Sequence, residues 1–357
     1  MKFKFDTQRI LKSKVTWAVI AELLILLVCL IIRPEFFEIS YQQSTGMLYG
    51  SIIDILNRSS EITIIALGMT LVIALAGTDL SVGALVALSG AMGLKLMRWD
   101  MGEYPTAGNY TVTPLIWVFL AALGICLLFG CFNGLMVSRF GMQPIIATLV
   151  LMVAGRGVAQ IITNGRQMTT AYTPFKFISQ GSVLFLPMPI IITAVIFILM
   201  VLLTRKTSYG MFVEAVGINP KASRVSGLKS TLIIFSAYAI TGVLSGISGL
   251  IYASRIGQND SNNAGINYEM DAILAVVIGG TSMAGGKFSL AGTVVGSIII
   301  RTIITFVYYF GVAAEATMAF KALIVLVVIV LQSEPVREFL SKRRTARKKA
   351  IRGELHG

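Results

Sequence analysis

Apolar residues along this chain run in long unbroken stretches and do not alternate with polar ones. A helix that crosses a bilayer takes roughly 20 apolar residues. Ten stretches approach that length: Val15–Ile32, Ile62–Ala76, Leu80–Leu96, Leu115–Val137, Pro144–Ile162, Leu186–Leu203, Thr231–Ala253, Ala272–Met283, Ala291–Phe310 and Ala319–Leu331. The pattern predicts an all-α, polytopic transmembrane helix bundle of about ten spans over residues 15–335. Ala272–Met283 is short for a full crossing. Within the spans, glycines recur at four-residue spacing, as Gly130/Gly134, Gly242/Gly246 and Gly292/Gly296. Small residues so placed let helix backbones approach closely in lipid.

Composition agrees with this pattern. Of 357 residues, 55% are hydrophobic and 13% charged, whereas a soluble domain carries about 25% charged residues. Ten spans of that length use about 200 residues, close to the apolar share seen here. A soluble enzyme, a disordered chain and a disulfide scaffold are all excluded on this ground. The net charge of +13 is unevenly placed. It concentrates in the N-terminus 1–14 (Lys2, Lys4, Arg9, Lys12, Lys14), in the loop 204–230 (Arg205, Lys206, Lys221, Arg224, Lys229) and in the tail 336–357 (for example Arg343, Arg344, Lys348, Lys349). Lys and Arg near span ends mark the cytoplasmic side. An even number of spans returns the basic tail to the side of the basic N-terminus. Both termini are therefore expected in the cytoplasm. Charge that flanks hydrophobic spans does not form a nucleic-acid surface; it suits contact with anionic lipid.

Little conventional chemistry is visible. Cys29, Cys126 and Cys131 fall inside apolar runs with no metal or disulfide spacing. The one histidine, His356, is next to last. No metal site, no catalytic cluster and no cofactor are expected in this chain. Gly286-Lys287 suggests a phosphate-binding loop, but such a loop needs Gly five positions before that Gly and Ser or Thr after the Lys. Thr281 and Phe288 stand there. ATP is not bound by this segment, so any energy source is another chain or an ion gradient.

Three segments interrupt the apolar pattern. Gly77-Thr-Asp-Leu-Ser-Val-Gly83 separates two spans and places a carboxylate between them, which is expensive at membrane depth unless hydrated or paired. It reads either as a capped tight turn, with Thr78 or Asp79 at the start of the next helix, or as a broken element lining a solute path. Ile278-Gly-Gly-Thr-Ser-Met-Ala-Gly-Gly-Lys-Phe-Ser289 interrupts the second half in the same manner, and paired interruptions of this kind point to a transport path. A conduit for a neutral polar solute needs hydroxyl and amide groups more than charge. Thr78, Asp79, Ser81, Asn133, Thr281 and Ser282 are the candidates, with an interhelical hydrogen bond the alternative for Asn133. Arg156, Arg301 and Lys321 lie near span ends and are expected to snorkel to the interface. Asn262, Asn263 and Glu269 fall in an inferred outer loop.

The third segment, Glu214 to Gly227, lies in the long basic loop. Asn219 suits a helix cap, Pro220 the first helical position and Gly227 the stop. A helix of about seven residues, roughly 10 Å long, is expected, either as a plain connector or as a knob for a partner's cleft.

Taken together and in this order, Gly77–Gly83, Gln143-Pro-Ile-Ile-Ala-Thr-Leu149 with Gly155-Arg-Gly157, Glu214-Ala-Val-Gly-Ile-Asn219 with Gly227, and Ala272-Ile-Leu-Ala-Val-Val-Ile-Gly-Gly280 with Gly285-Gly286 resemble the permease subunits of bacterial ABC sugar importers of the ribose/xylose/galactoside type. The likeness covers about residues 50 to 335 and is nearest to the galactofuranose-type systems. It departs at Ala76 and Thr78, where the family usually has Gly and Ile. The resemblance implies a pathway subunit in the bacterial inner membrane that moves a galactofuranose- or galactose-like monosaccharide inward. Its implied partners are a cytoplasmic ABC ATPase, a second permease in a heterodimer, and an extracytoplasmic sugar-binding protein. It also implies that Glu214, Ala215, Gly217, Asn219, Ala222 and Gly227 form the segment that couples to the ATPase. The other class in view is an ion-coupled secondary transporter working alone, for which Asp79 and Asp271 are the carboxylates at hand.

Overall fold

The computed structural model describes residues 14–32, 34–42, 47–97, 113–183, 185–309 and, within 311–330, residues 311, 316, 318–323, 326 and 330. The basic segments 1–13 and 336–357 lie outside the described residues, as does much of the tenth apolar stretch.

The helices are α1 (Lys14–Ile32), α2 (Ser51–Ala74), α3 (Val82–Met97), α4 (Leu115–Ser138), α5 (Pro144–Thr163), α6 (Thr173–Gln180), α7 (Met188–Val201), α8 (Tyr209–Ile218), α9 (Pro220–Val225), α10 (Ser230–Ile256), α11 (Tyr268–Ile278) and α12 (Leu290–Tyr309). A wider turn at Leu202–Lys206 extends α7. Among the described residues, six helices are long and apolar enough to cross a bilayer: α2, α4, α5, α7 with its extension, α10 and α12. That is fewer than the ten expected. Two of the predicted spans are short, α3 with 16 residues and α11 with 11. At 1.5 Å per residue they reach about 24 Å and 16 Å, and each abuts an interruption.

Three two-stranded antiparallel ribbons depart from the all-α expectation. They are β1 (Ser40–Gln42) with β2 (Met47–Tyr49), β3 (Met168–Thr169) with β6 (Gln258–Asn259), and β4 (Ser182–Val183) with β5 (Leu186–Pro187). Their registers pair Ser40 with Tyr49, Met168 with Asn259 and Ser182 with Pro187. All lie at the end of the bundle opposite α9, where they satisfy loop backbone that has no helix to join.

α2 is the central helix. Its apolar window is 83% buried in protein, against 22% for α4 and 17% for α7, which keep their outer faces for lipid. One core joins Ile65, Met69 and Ile73 of α2 to Val276 of α11 and Ile299 and Ile303 of α12. A second joins Leu67 and Leu71 of α2 to Val213 and Val216 of α8 and to Ala237 and Tyr238 of α10. The spaced glycines close the helix pairs. A Cβ built on Gly242 of α10 falls 2.6 Å from the carbonyl of Cys126 and 3.0 Å from the Cα of Gly130 on α4. A Cβ on Gly296 of α12 falls 2.0 Å from the carbonyl of Ala275 on α11. Side chains at these places would hold the helices apart and forfeit the dispersion contacts that bind them in lipid.

Candidate functional site

α2 stops because the chain turns at Leu75–Gly77. Ala76 adopts a left-handed φ of 59°, at the position where the resemblance expects glycine. The Gly77 amide bonds back to the Val72 carbonyl at 3.0 Å, which satisfies part of the helix end. Asp79 then lies wholly buried. Its Oδ1 accepts from the Ser81 amide at 3.0 Å and from Ser81 Oγ at 2.6 Å. Asn133 Nδ2 on α4 donates to Ser81 Oγ at 2.9 Å. Tyr238 Oη on α10 donates to the Thr78 carbonyl at 3.3 Å.

Thr78, Asp79, Ser81 and Asn133 are thus brought together by α2, α3 and α4. Asn133 makes the interhelical hydrogen bond foreseen for it. The Asp79 carboxylate forms a local turn onto Ser81; it does not cap the first turn of α3 in the ordinary way. Three oxygens in this cluster, Asp79 Oδ2, Asn133 Oδ1 and Thr78 Oγ1, are buried with no hydrogen-bond partner among the described residues. Buried acceptors are normally satisfied by protein or water, so the cluster offers unfilled capacity to a donor.

The second interruption, residues 279–289, turns at Gly280, Gly285 and Gly286, whose φ values of 93°, 84° and 92° favour glycine. Thr281 is buried, and its Oγ1 accepts from the Ser289 amide at 3.3 Å. Ser282 is exposed, and its Oγ accepts from the Ala284 amide at 3.2 Å. These two hydroxyls staple their own loop, and no hydrogen bond joins them to Asp79. The interruptions meet through backbone instead: the Gly286 amide donates to the Ala74 carbonyl at 2.8 Å.

The loop segment reaches the same point. α9 is a six-residue helix, Pro220–Val225, one residue shorter than expected. Asn219 caps it by accepting from the Ala222 amide at 3.0 Å, and Pro220 occupies its first turn. It ends on Gly227, with φ 87°, and the Leu228 amide bonds back to the Ser223 carbonyl at 3.0 Å. Val225 is 90% exposed and Ile218 72%. Glu214, Ala215 and Gly217 are on the preceding helix, α8, and not on α9. Gly217 is buried. A Cβ built there falls 1.9 Å from the Ala74 carbonyl oxygen and 2.9 Å from the Gly286 nitrogen. Gly217 is therefore the packing point at which α8 locks onto both interruptions.

Charge is handled differently from the expectation. Glu61, which stands just before the apolar stretch Ile62–Ala76 in the sequence, lies inside α2 at 5% exposure. It pairs with Arg255 of α10 at 2.7 Å and accepts from Tyr268 Oη at 2.6 Å. The polar first turns of α2 (Asp54, Asn57, Arg58) disguise them as loop. Lys321 does not snorkel; it pairs with Asp271 of α11 at 2.5 Å. Arg156 binds backbone at the end of the bundle. Its Nη1 donates to the carbonyls of Ser261, Asn262 and Ala264, at 2.9 to 3.3 Å, and so holds the loop that follows β6. Arg301 is largely buried against α2 and α11, and its Nε has no partner among the described residues. In that loop, partial desolvation raises the Asp260 carboxyl. The bonds it accepts from the Asn262 amide, Asn263 and Gln167 outweigh this and hold it below the usual carboxylate range.

Long apolar helices, a buried polar cluster at the first interruption and a backbone bond tying the second to the end of α2 describe a multi-pass membrane protein. Among the described residues no group of three or more His, Cys, Asp or Glu could hold a metal ion. The chain belongs to the family described as branched-chain amino acid transport system / permease component, whose model matches residues 51–330. A fructose import permease protein of Bifidobacterium longum (strain NCC 2705) is 41% identical to it over 97% of this chain and 95% of its own. A galactofuranose transporter permease protein of Escherichia coli (strain K12) is 44% identical over 88% of each. A ribose import permease protein of the same strain is 32% identical over 89% of this chain and 93% of its own. No solved structure matches the chain.

Proposed function

We propose that this chain is the membrane-spanning permease subunit of an ATP-binding-cassette importer that carries a monosaccharide, of galactofuranose or galactose type, into the cell. The similar proteins are named for fructose, galactofuranose and ribose, which share a neutral, hydroxyl-rich chemistry. The buried acceptors at Thr78, Asp79 and Asn133 suit hydroxyl donors of that kind.

One observation carries the reading. A short capped helix with an exposed apolar tip is fixed through Gly217 to the backbone of both interruptions at Ala74 and Gly286. A push on α9 is thereby delivered to the two places where the pathway helices break. Val225 and Ile218 are the grip for a cytoplasmic ABC ATPase, which binds the ATP. The basic loop 204–230 and both basic termini face the cytoplasm, consistent with the distribution of Lys and Arg. A second, different permease completes the pathway, and an extracytoplasmic binding protein selects the sugar. Of the two carboxylates at hand for an ion-coupled transporter acting alone, Asp271 is neutralised by Lys321 and is a poor carrier, so that alternative rests on Asp79 alone.

The test is Val225→Glu in the assembled importer. Because Val225 is 90% exposed, the chain is expected to fold and insert normally. ATP-driven uptake and co-purification of the ATPase are expected to be lost. Full uptake with the charged residue in place would remove α9 from the docking surface.

A further inference from the structure

Beside the coupling segment lies a groove of about 670 Å³ between the end of α4 and the start of α10. It has room for roughly 20 water molecules at 30 Å³ each, enough for a phosphoglycerol headgroup. Three cations line it: Arg139 at the C-terminal cap of α4, Arg224 from α9 and Lys229 before α10. No carboxylate lines it, and no ion pair engages these three among the described residues. Lys229 stands at the cap position of α10 without a side-chain cap bond, so the amides of that 27-residue helix present their positive end to the groove. Ser138 Oγ, also in the lining, is buried without a partner.

The other wall is apolar. Leu135 and Leu232 line the groove and are 41% and 57% exposed. Leu135 continues an exposed stripe on α4 through Phe132 and Leu128, which share one helix face by their spacing. In a bundle embedded in lipid this stripe faces acyl chains. The groove is thus cationic at the level of the headgroups and open to hydrocarbon along one side. Basic pockets of this form at the cytoplasmic face take acidic phospholipid headgroups.

We infer that the groove between Ser138–Arg139 and Arg224–Lys229 is a binding site for an anionic phospholipid, with its phosphate among Arg139, Arg224 and Lys229 and its acyl chains along Leu135 and Leu232. A bound lipid bridges the coupling helix to the end of α4, the helix that carries Asn133. Charge alone would also admit free phosphate, but that would leave the apolar wall without an occupant.

Native mass spectrometry of the purified full chain with dioleoyl phosphatidylglycerol or dioleoyl phosphatidylcholine tests this. The expected result is a preference for phosphatidylglycerol of about tenfold or more, from three cations near the surface. It should fall to within about twofold in the triple variant R139Q/R224Q/K229Q. The single charge reversal Lys229→Glu, at an exposed position, should lose several-fold. Leu232→Trp, which crowds the apolar wall and keeps the charge, should weaken both adducts. Substituting the tail residues Arg343→Gln and Arg344→Gln should leave the preference intact. Three results would overturn the inference: equal binding of the two lipids by the unmodified chain, displacement of phosphatidylglycerol by millimolar inorganic phosphate, or retained preference in both the triple variant and Lys229→Glu. If the ATPase subunit displaces the lipid and the triple variant no longer binds that subunit, the groove belongs to protein docking and the lipid site is refuted.

Discussion

Replacing Gly217 with alanine is the sharpest probe of the junction between α8 and the two interruptions. The added Cβ would stand 1.9 Å from the Ala74 carbonyl oxygen, while carbon and oxygen ordinarily approach to about 3.3 Å. α8 must retreat by about 1.4 Å, or Ala74 must move, and the obstacle on both sides is backbone. Overpacking of this kind costs about 1–3 kcal/mol. Movement of Ala74 also endangers the 2.8 Å bond from the Gly286 amide, which contributes about 1 kcal/mol. The expected total is about 2–4 kcal/mol, concentrated where α9 is fixed to the pathway. Thermal unfolding of the purified chain, together with ATP hydrolysis and uptake by the assembled importer, reads both consequences. Gly217→Ala is expected to unfold several degrees lower and to hydrolyse ATP with uptake reduced at least tenfold. The matched control is Gly157→Ala, on α5, where no described atom lies within 4 Å of the new Cβ. It should be neutral or slightly stabilising, by up to about 1 kcal/mol. If Gly217→Ala matches that control in both stability and coupling, α8 does not lock onto Ala74 and Gly286, and the reasoning fails.

Three other outcomes follow from the same geometry. Glu61→Ala leaves Arg255 without its carboxylate beside an unanswered Tyr268 hydroxyl and should destabilise by about 3–5 kcal/mol; Glu61→Gln keeps one oxygen to accept from Arg255 and turns its amide N–H to the Tyr268 hydroxyl oxygen, so it should lose distinctly less, and equal unfolding temperatures for the two variants would contradict the pairing. Ala76→Gly removes the strain of a left-handed alanine and should be neutral to stabilising, by up to about 1 kcal/mol, whereas Ala76→Val should unfold earlier; the reverse order would show that the turn is not left-handed. Asp260 titrates below the usual carboxylate range because of the hydrogen bonds it accepts. A depressed folded value gives stability that is complete above the unfolded value of about 3.9 and is lost as pH falls through the folded one. Hydrogen-exchange protection of the Asn262–Ala264 amides should therefore stay level from pH 8 to pH 5 after correction for intrinsic rates, and fall only below about pH 4. Asp260→Asn should be flat throughout, and a transition near pH 6 in the unmodified chain would refute the assignment.

The local chemistry of short segments was legible from residue order. Asn219, Pro220 and Gly227 announce α9, because capping, a preset φ and a left-handed stop are properties of single residues. Thr78, Asp79, Ser81 and Asn133 were legible only as separate polar candidates beside Thr281 and Ser282; that the first four meet, and the last two do not join them, depends on how α2, α3 and α4 pack. Span count was less legible. α3 and α11 match stretches that are already short in the sequence, Leu80–Leu96 and Ala272–Met283, and composition alone counts each as a span. The role of Gly217 was hidden. Nothing near it in sequence indicates that the carbonyl of Ala74, more than a hundred positions earlier, would occupy the space of its side chain. The ion pairs were hidden too. Glu61 and Arg255, or Asp271 and Lys321, meet only once the bundle is assembled, and a hydropathy reading sends each alone to the interface.

The central claim is that this chain conducts a sugar but has no motor of its own. Uptake of a labelled monosaccharide into proteoliposomes, with the chain alone and with its permease partner, ATPase and binding protein restored, tests it most directly. Concentrative uptake is predicted only with the ATPase present and ATP supplied on its side. Concentrative uptake by the chain alone, driven by a proton or sodium gradient, would contradict the account.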